Sequence, residues 1–267
     1  MNRILISIVT YNTDPVILRK LLHKLNNDFV ISIFDNSSND IIKKEISSLA
    51  KLKNVVCRSL NQNIGFGNAH NRNIFDSDKD FDYVLILNPD MDISSYQINV
   101  LLESLIIHRS DRVSIISPIL INKDGSLQKF IREIPSIFSF FKKIFSINQI
   151  NYSEYISNVA NVPIIHGACL LMSKKDYYKI NGFSNEYFLY WEDLDLCRKV
   201  HFYNGKVLVD SNIRCIHLHN RESHRSASLA FIHLKSIIIY FKKWGLFQNK
   251  TTKKINKVLL NKLITRL

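Results

Sequence analysis

The segment Tyr83-Val84-Leu85-Ile86-Leu87-Asn88-Pro89-Asp90-Met91-Asp92 decides the fold. Its first five residues form an uninterrupted apolar run, which reads as a strand buried on both faces. The run then breaks into an amide, a proline and two carboxylates, so its polar chemistry sits at the strand's carboxyl end. Outward toward the N-terminus lie three more short apolar runs: Val55–Arg58, Val30–Phe34 and Ile4–Val9. Helical patterns separate them. Pro15 opens one with Ile17, Leu18, Leu21, Leu22 and Leu25 on its apolar face, and proline suits a first helical turn. Asp40–Leu49 is a second, and the loop Asn63-Ile64-Gly65-Phe66-Gly67 leads to a third around Ala69–Phe75. Toward the C-terminus, Gln97–Ile107 reads as a helix and Val113–Ser117 as a fifth strand. Such alternation predicts an α/β fold with a parallel sheet and helices on both faces.

After Ser117 the pattern changes. Lys123-Asp124-Gly125 lies between apolar stretches in Ile119–Phe130, a hairpin signal. Ile137–Phe145 is amphipathic at helical spacing, and Val162–Met172 reads as a strand interrupted at His166-Gly167. Trp191–Tyr203 is a predicted helix with acids at its start and Arg198, Lys199 and His201 near its end, which suits the helix dipole. Lys206–Val209 and Ile213–Leu218 are short strands, and two basic amphipathic helices follow. With no linker in evidence, residues 1–222 are expected to form one domain and 223–267 a basic helical segment appended to it.

Of the 267 residues 46% are hydrophobic and 22% charged, enough for a sizeable core and incompatible with a disordered or fibrous chain. Cys57, Cys169, Cys197 and Cys215 make no CxxC pair, so buried thiols are expected rather than a disulfide framework or a zinc knuckle. No 18-residue apolar run occurs, and the N-terminus enters a strand pattern at once; a cytoplasmic location without a membrane span is the expectation. The formal charge is +13. From Ser223 onward there are ten basic residues and no acid, whereas the preceding 222 residues hold 26 basic and 23 acidic ones. A basic tail serves nucleic acid, anionic lipid or a solvated helix face. Nucleic-acid recognition needs basic and aromatic residues interleaved over a surface, and the excess here is confined to a Lys-rich terminus. Nucleic acid is not an expected partner.

In open parallel sheets ligands bind at the strands' carboxyl ends. Thr10-Tyr11-Asn12, Asp35-Asn36-Ser37-Ser38 and Asn88-Pro89-Asp90 all fall there, a recurrence that favours a nucleotide-type site. Gly65-Phe66-Gly67 lacks the third glycine of the dinucleotide fingerprint and follows the wrong strand, and no phosphate-loop motif is present. Asp90 and Asp92 suit a hard divalent cation, and on local grounds they read equally well as a solvated turn. Glu192-Asp193-Leu194-Asp195 follows the aromatic run Tyr187–Trp191; aromatic walls can raise a carboxylate's pKa toward that of a working general base. His217-Leu218-His219 sets two imidazoles on one strand face, where a structural role is the commoner one.

Taken in order, Val9-Thr10-Tyr11-Asn12, Asp35-Asn36-Ser37-Ser38, Asn63 to Asn71, Leu87-Asn88-Pro89-Asp90, His166 to Met172 and Phe188 to Cys197 resemble the family-2 inverting glycosyltransferases. The likeness is to the bacterial rhamnosyltransferase-like branch that builds O-antigen and related surface glycans, and it spans about residues 4–220. It implies a GT-A fold, with a Rossmann-like nucleotide half joined to an acceptor half around a mixed sheet. Thr10, Tyr11 and Asn12 would line the nucleotide pocket, and Asp35 would accept a hydrogen bond from the pyrimidine ring. Asn63, Gly65 and Asn68 would shape the wall near ribose and diphosphate. Asn88-Pro89-Asp90 occupies the family's Asp-x-Asp position, with a neutral amide in place of the first acid. The resemblance implies Mg²⁺ or Mn²⁺ on Asp90, assisted by Asp92 and His217. Asp193 would be the catalytic base, with Trp191 and Glu192 on the acceptor side. Expected partners are a nucleotide-sugar donor, most simply dTDP-L-rhamnose or alternatively a UDP-hexose, and a lipid-linked saccharide acceptor. The basic tail, with Ile237 to Phe241 and Trp244 beside Lys242 and Lys243, is expected to hold the protein on the anionic inner face of a membrane.

Overall fold

The computed structural model describes residues 3–25, 28–52, 54–60, 62–139, 150–218 and 227–264. Its first half runs β1 (Ile4–Thr10), α1 (Pro15–His23), β2 (Val30–Asp35), α2 (Asp40–Ser48), β3 (Val55–Ser59), α3 (Phe66–Phe75), β4 (Tyr83–Leu87), β5 (Met91–Asp92) and α4 (Ser95–His108). Its second half runs β6 (Ser114–Ile121), β7 (Ile131–Arg132), β8 (Val159–Asn161), β9 (Ile164–Ile165), β10 (Cys169–Ser173), α5 (Lys174–Lys179), α6 (Glu192–Phe202), β11 (Lys206–His217), α7 (Ala227–Trp244) and α8 (Lys250–Ile264).

Local chemistry explains these boundaries. Asp14 caps α1 by accepting from the Val16 N–H, with Pro15 in the first turn and Leu18, Leu21 and Leu22 buried. Ser94 and Gln97 cap each other's backbone at the start of α4. Strand β1 is buried along all seven residues, as its unbroken apolar run requires.

The principal sheet has the order β3-β2-β1-β4-β10-β6-β11-β5, with β8 also paired to β11. Strands β3, β2, β1 and β4 are parallel, as the alternation predicts. Beyond β4 the pattern changes as the resemblance implies, because β10 is antiparallel to both β4 and β6, while β11 is again parallel to β6. The sheet is mixed, and the inserted strand is the stretch after the predicted interruption at His166-Gly167. Leu127 bridges back to Ile121 around the Lys123–Gly125 turn, so the hairpin signal is met by a bridge. The two short strands expected after Lys206 are one, β11, with a register shift between Asp210 and Arg214.

Much of the polarity in α3 holds the fold together. The Asn73 amide donates to Ser7 Oγ and to the carbonyls of Ile8 and Ser32, tying α3 to β1 and β2. His70 is fully buried against Ser7 and Phe66, and burial pulls its pKa down to about 3. Asn71 binds the Tyr177 hydroxyl and the Phe183 backbone. All four cysteines are free, three of them buried, and desolvation pushes each thiol upward, Cys57 to about 11.

The C-terminal segment corrects one expectation. Ile237, Tyr240 and Phe241 of α7 are buried, and Ile239 and Trp244 pack against the same core. Most of the apolar side chains read as a bilayer-facing stripe instead complete the domain, and Ile238 alone of Ile237 to Phe241 is exposed. Asp195, fully buried in α6, is the anchor: it pairs with Lys243 Nζ at 2.9 Å and accepts from Trp244 Nε1 at 2.7 Å and Ser184 Oγ at 2.5 Å. The 222/223 boundary, His219 and most of Ile137–Phe145 lie outside the described residues.

Asp195→Ala leaves these donors without their acceptor, and an expected loss of about 2–3 kcal/mol follows, less than for a wholly buried pair because Lys243 keeps some water. Urea unfolding of the full chain measures it; a midpoint equal to wild type would show that the clamp contributes nothing.

Candidate active site

One cleft of about 960 Å³ opens at the carboxyl end of β4. Asn88 and Asp90 line it from the β4–β5 turn, His217 from the end of β11, and His166 and Gly167 from the lead into β10. Tyr190, Trp191, Glu192 and Asp193 form a second wall; Gln128, Lys129 and Arg132 form a third. The last wall is helix α7, through Leu229, Ala230 and His233.

The chain topology makes this convergence. Because β10 runs against β4, Cys169 faces Leu87 and the Asn88 N–H donates to the Ala168 carbonyl at 2.9 Å. Gly167 therefore lies beside Asn88. Its N–H donates to Asp193 Oδ2 at 3.1 Å, and the Leu194 N–H donates to Asp193 Oδ1 at 2.8 Å. The carboxylate is fixed in direction while each oxygen keeps a free lone pair. A Cβ on Gly167 would approach Asp193 Cβ to 3.2 Å, so glycine is what lets the two segments meet.

The turn into α6 is strained. Tyr190 and Trp191 both have positive φ, 68° and 69°, a region that costs non-glycine residues about 1–2 kcal/mol each. Packing holds them there: Trp191 Nε1 donates to His233 Nε2 at 3.2 Å, the ring lies 5.0 Å from that of Tyr240, and Ser236 Oγ donates to the Leu189 carbonyl.

Glu192 and Asp193 are adjacent and buried at a helix start. Desolvation, with the Asp193 charge added, pushes the Glu192 pKa up to about 8. Its Oε2 has no hydrogen-bond partner, and the same holds for two other buried oxygens near the strand ends, Asn88 Oδ1 and Asp35 Oδ2. Buried acceptors of this kind are rare unless a ligand satisfies them.

Asp90 Oδ1 stands 3.4 Å from His217 Nε2, and Gln128 Oε1 holds the other ring nitrogen at 3.0 Å. Asp92 is not brought to this pair; it lies across β5 and forms an ion pair with Lys24. Among the described residues no group of three His, Cys, Asp or Glu side chains is set to hold a metal. A carboxylate oxygen and an imidazole nitrogen facing one cleft nevertheless fit a divalent ion that takes its remaining ligands from diphosphate oxygens.

The residues expected on the donor side sit on neighbouring strand ends and the loop beside them. Thr10 Oγ1 donates to Asp35 Oδ1 at 2.9 Å, leaving Asp35 Oδ2 as the orphan. Tyr11 is exposed, and the Asn12 N–H is held by Ser37 Oγ. Asn63 and Asn68 are bound to the loop backbone, Asn63 accepting from the Gly65 N–H and Asn68 donating to Ile64. A Cβ on Gly65 would collide with the Phe188 carbonyl, which already accepts from the Phe66 N–H. Gly65 thus joins the nucleotide half to the aromatic wall. Arg132, Lys129, Gln128 and His233 were not singled out from sequence. Nothing in their local pattern marks them, since a loop carries Gln128 and Lys129, a two-residue strand Arg132 and a surface-like helix His233.

Comparison with known proteins adds the following. A family model described as Glycosyl transferase family 2 matches residues 5–180, and one described as N-terminal domain of galactosyltransferase matches 152–220. Rhamnosyltransferase WbbL of Escherichia coli (strain K12) is 27% identical over 274 residues, covering 95% of this chain and 98% of that protein. The N-acetylglucosaminyl-diphospho-decaprenol L-rhamnosyltransferase of Mycobacterium tuberculosis is 26% identical over 209 residues, with 70% and 67% covered. A low-salt glycan biosynthesis hexosyltransferase of Haloferax volcanii is 26% identical over 195 residues, 72% of this chain and 59% of that one. Among solved structures, GalNAc-T7 with UDP, GalNAc and Mn²⁺ superposes with a TM-score of 0.63 at 13% identity, over 82% of this chain and 43% of that one. S. aureus TarS 1-349 in complex with UDP-GlcNAc gives 0.58 at 14% identity, over 99% and 73%. The fold is of the GT-A type.

Glu192 yields a pH prediction. Folded, it keeps its proton to about 8, whereas an unfolded glutamate loses it near 4.5. Between those values the folded state binds more protons, so this residue's contribution is complete below the lower value and is lost as pH rises through the upper one. Stability of Glu192→Gln should therefore fall less from pH 5 to pH 8 than that of wild type. Parallel slopes in denaturant titrations would mean that Glu192 ionises normally.

Proposed function

The chain belongs to glycosyl transferase family 2, and on that premise we propose that this glycosyltransferase moves L-rhamnose from dTDP-L-rhamnose, with inversion, onto a saccharide carried on a lipid diphosphate. The product would be part of a bacterial surface polysaccharide such as O-antigen, made at the cytoplasmic face of the membrane. The observation that carries the reading is Asp193, a buried carboxylate oriented by two backbone N–H groups in the same cleft as the Asp90–His217 pair. Two relatives similar in sequence are rhamnosyltransferases, and the name of one specifies a saccharide on a diphospho-lipid.

In this reading the Thr10–Asp35 pair binds the donor's base, with Asp35 Oδ2 accepting from a ring N–H. Asp90 and His217, with the Asn88 amide oxygen beside them, would hold Mg²⁺ or Mn²⁺. That ion, when bound, neutralises charge on the leaving diphosphate. An acceptor hydroxyl between Trp191 and Asp193 gives its proton to the Asp193 carboxylate. Its oxygen bonds to the anomeric carbon from the face opposite the phosphate, and the C–O bond to dTDP breaks with its electron pair going to the nucleotide. One carboxylate suffices, because a single displacement inverts the centre. Glu192, protonated near neutrality, can donate a hydrogen bond to a sugar oxygen without competing for the proton.

A second donor reading, a UDP-hexose, is favoured by the hexosyltransferase relative and by the fold's likeness to a UDP-GlcNAc complex. Nucleoside diphosphate released from dTDP-L-rhamnose and from UDP-hexoses, with and without chelator, separates the two. Release from dTDP-L-rhamnose that stops on chelation and returns with Mn²⁺ is expected. Exclusive use of a UDP-sugar would replace the donor, and full activity in chelator would remove the ion. Asp193→Asn should lower turnover by about 10² or more while donor binding persists; near-normal turnover would dismiss Asp193 as the base.

A further inference from the structure

Helix α7 has two apolar faces, and the domain uses one. Ile237, Tyr240 and Phe241 point into the core, while Leu229, Ala230 and His233 face the cleft. On the opposite side Phe231, Leu234 and Ile238 are 69%, 52% and 59% exposed. Their spacing of three and then four residues places them in one stripe. Lys235 and Lys242, both exposed, share that side of the helix. Just past the helix end Leu246 and Phe247 are also exposed, and the Phe247 ring lies 5.7 Å from that of Phe138, itself exposed. Exposed apolar side chains gathered in this way mark an interaction surface.

The charges select the occupant. Residues 223–267 contain no acid, and exposed Lys253, Lys254 and Lys257 follow on α8. A symmetric pairing of two copies through this face would bring the lysines of one copy toward those of the other, with no acid on residues 223–267 to offset them. An anionic lipid surface complements them. We infer that the outer face of α7, with Leu246, Phe247 and Phe138, seats on an anionic bilayer, its apolar side chains at the headgroup–acyl boundary and its lysines among lipid phosphates. The inner face of the same helix is a cleft wall, so seating brings that wall to the surface from which a lipid-carried acceptor arrives. This inference rests on the lipid-linked acceptor of the proposed function.

The test is flotation of the full chain with phosphatidylglycerol and with phosphatidylcholine vesicles, at low and high salt. The variants are Phe231→Ser/Leu234→Ser/Ile238→Ser and Lys235→Glu/Lys242→Glu, whose sites are exposed. Wild type should float with the anionic vesicles and be released by salt. Each variant should bind at least about tenfold more weakly, a basic residue at such a surface contributing about fivefold by itself. Transfer to an acceptor embedded in vesicles should fall in parallel, while transfer to a water-soluble acceptor stays at the wild-type rate. Wild type that ignores anionic vesicles overturns the inference, as do variants that bind like wild type or a wild-type dimer that the apolar variant dissolves. Loss of transfer to the water-soluble acceptor in the wild type would instead count against the proposed function, leaving the flotation result to stand by itself.

Discussion

The antiparallel ladder between β4 and β10 is the constraint from which the site follows. Five residues of β10 pair with five of β4, Cys169 with Leu87 at one end and Ser173 with Tyr83 at the other. A parallel strand in that place would deliver its leading residues to the far edge of the sheet. The reversed strand delivers His166 and Gly167 to the edge where β4 ends in Asn88 and Asp90. Gly167 then offers its N–H to Asp193, so that carboxylate is referenced to the sheet through one peptide rather than through a loop. Backbone hydrogen bonds between buried strands are the hardest to break locally, which makes this a stiff reference.

A second dependence runs through α6. Its first turn carries Glu192 and Asp193 toward the cleft, while Asp195, on the far side, takes Lys243, Trp244 and Ser184. Three acids in four residues thus do two unlike jobs: two face a ligand space and one holds the polypeptide together. The environments differ accordingly. Asp195 is ion-paired and hydrogen-bonded, whereas Glu192 has an oxygen with no partner at all and a pKa raised by burial.

The nucleotide half was readable because its chemistry is local. Buried parallel strands must be apolar along their length, so their polar residues collect at the ends, and Thr10, Asp35, Asn88 and Asp90 could be picked out by position. The reversed β10 was not readable, since pairing direction leaves no trace in a five-residue apolar run. Asp92 illustrates another limit. Sequence places it two residues from Asp90, but Asp90 belongs to the turn and Asp92 to β5, so strand alternation does not align the two, and Asp92 pairs with Lys24. The α7 helix was only partly legible for a related reason: its hydrophobic period is visible, yet a helix apolar on two sides does not say which side the domain takes. His233, Arg132 and Lys129 come to the cleft only through long-range packing.

The left-handed turn at Tyr190-Trp191 has a consequence for how the protein is made. Nothing in that stretch favours its own backbone conformation; it is kept by His233, Ser236 and Tyr240, and α6 is secured by Lys243 and Trp244, the latter 49 residues after Asp195. On a ribosome the strands and helices up to β11 can form as soon as they emerge. This turn cannot settle until α7 has cleared the exit tunnel, so a nascent chain holds its sheet before it holds the geometry of its cleft, and a chain released early would keep the first without the second.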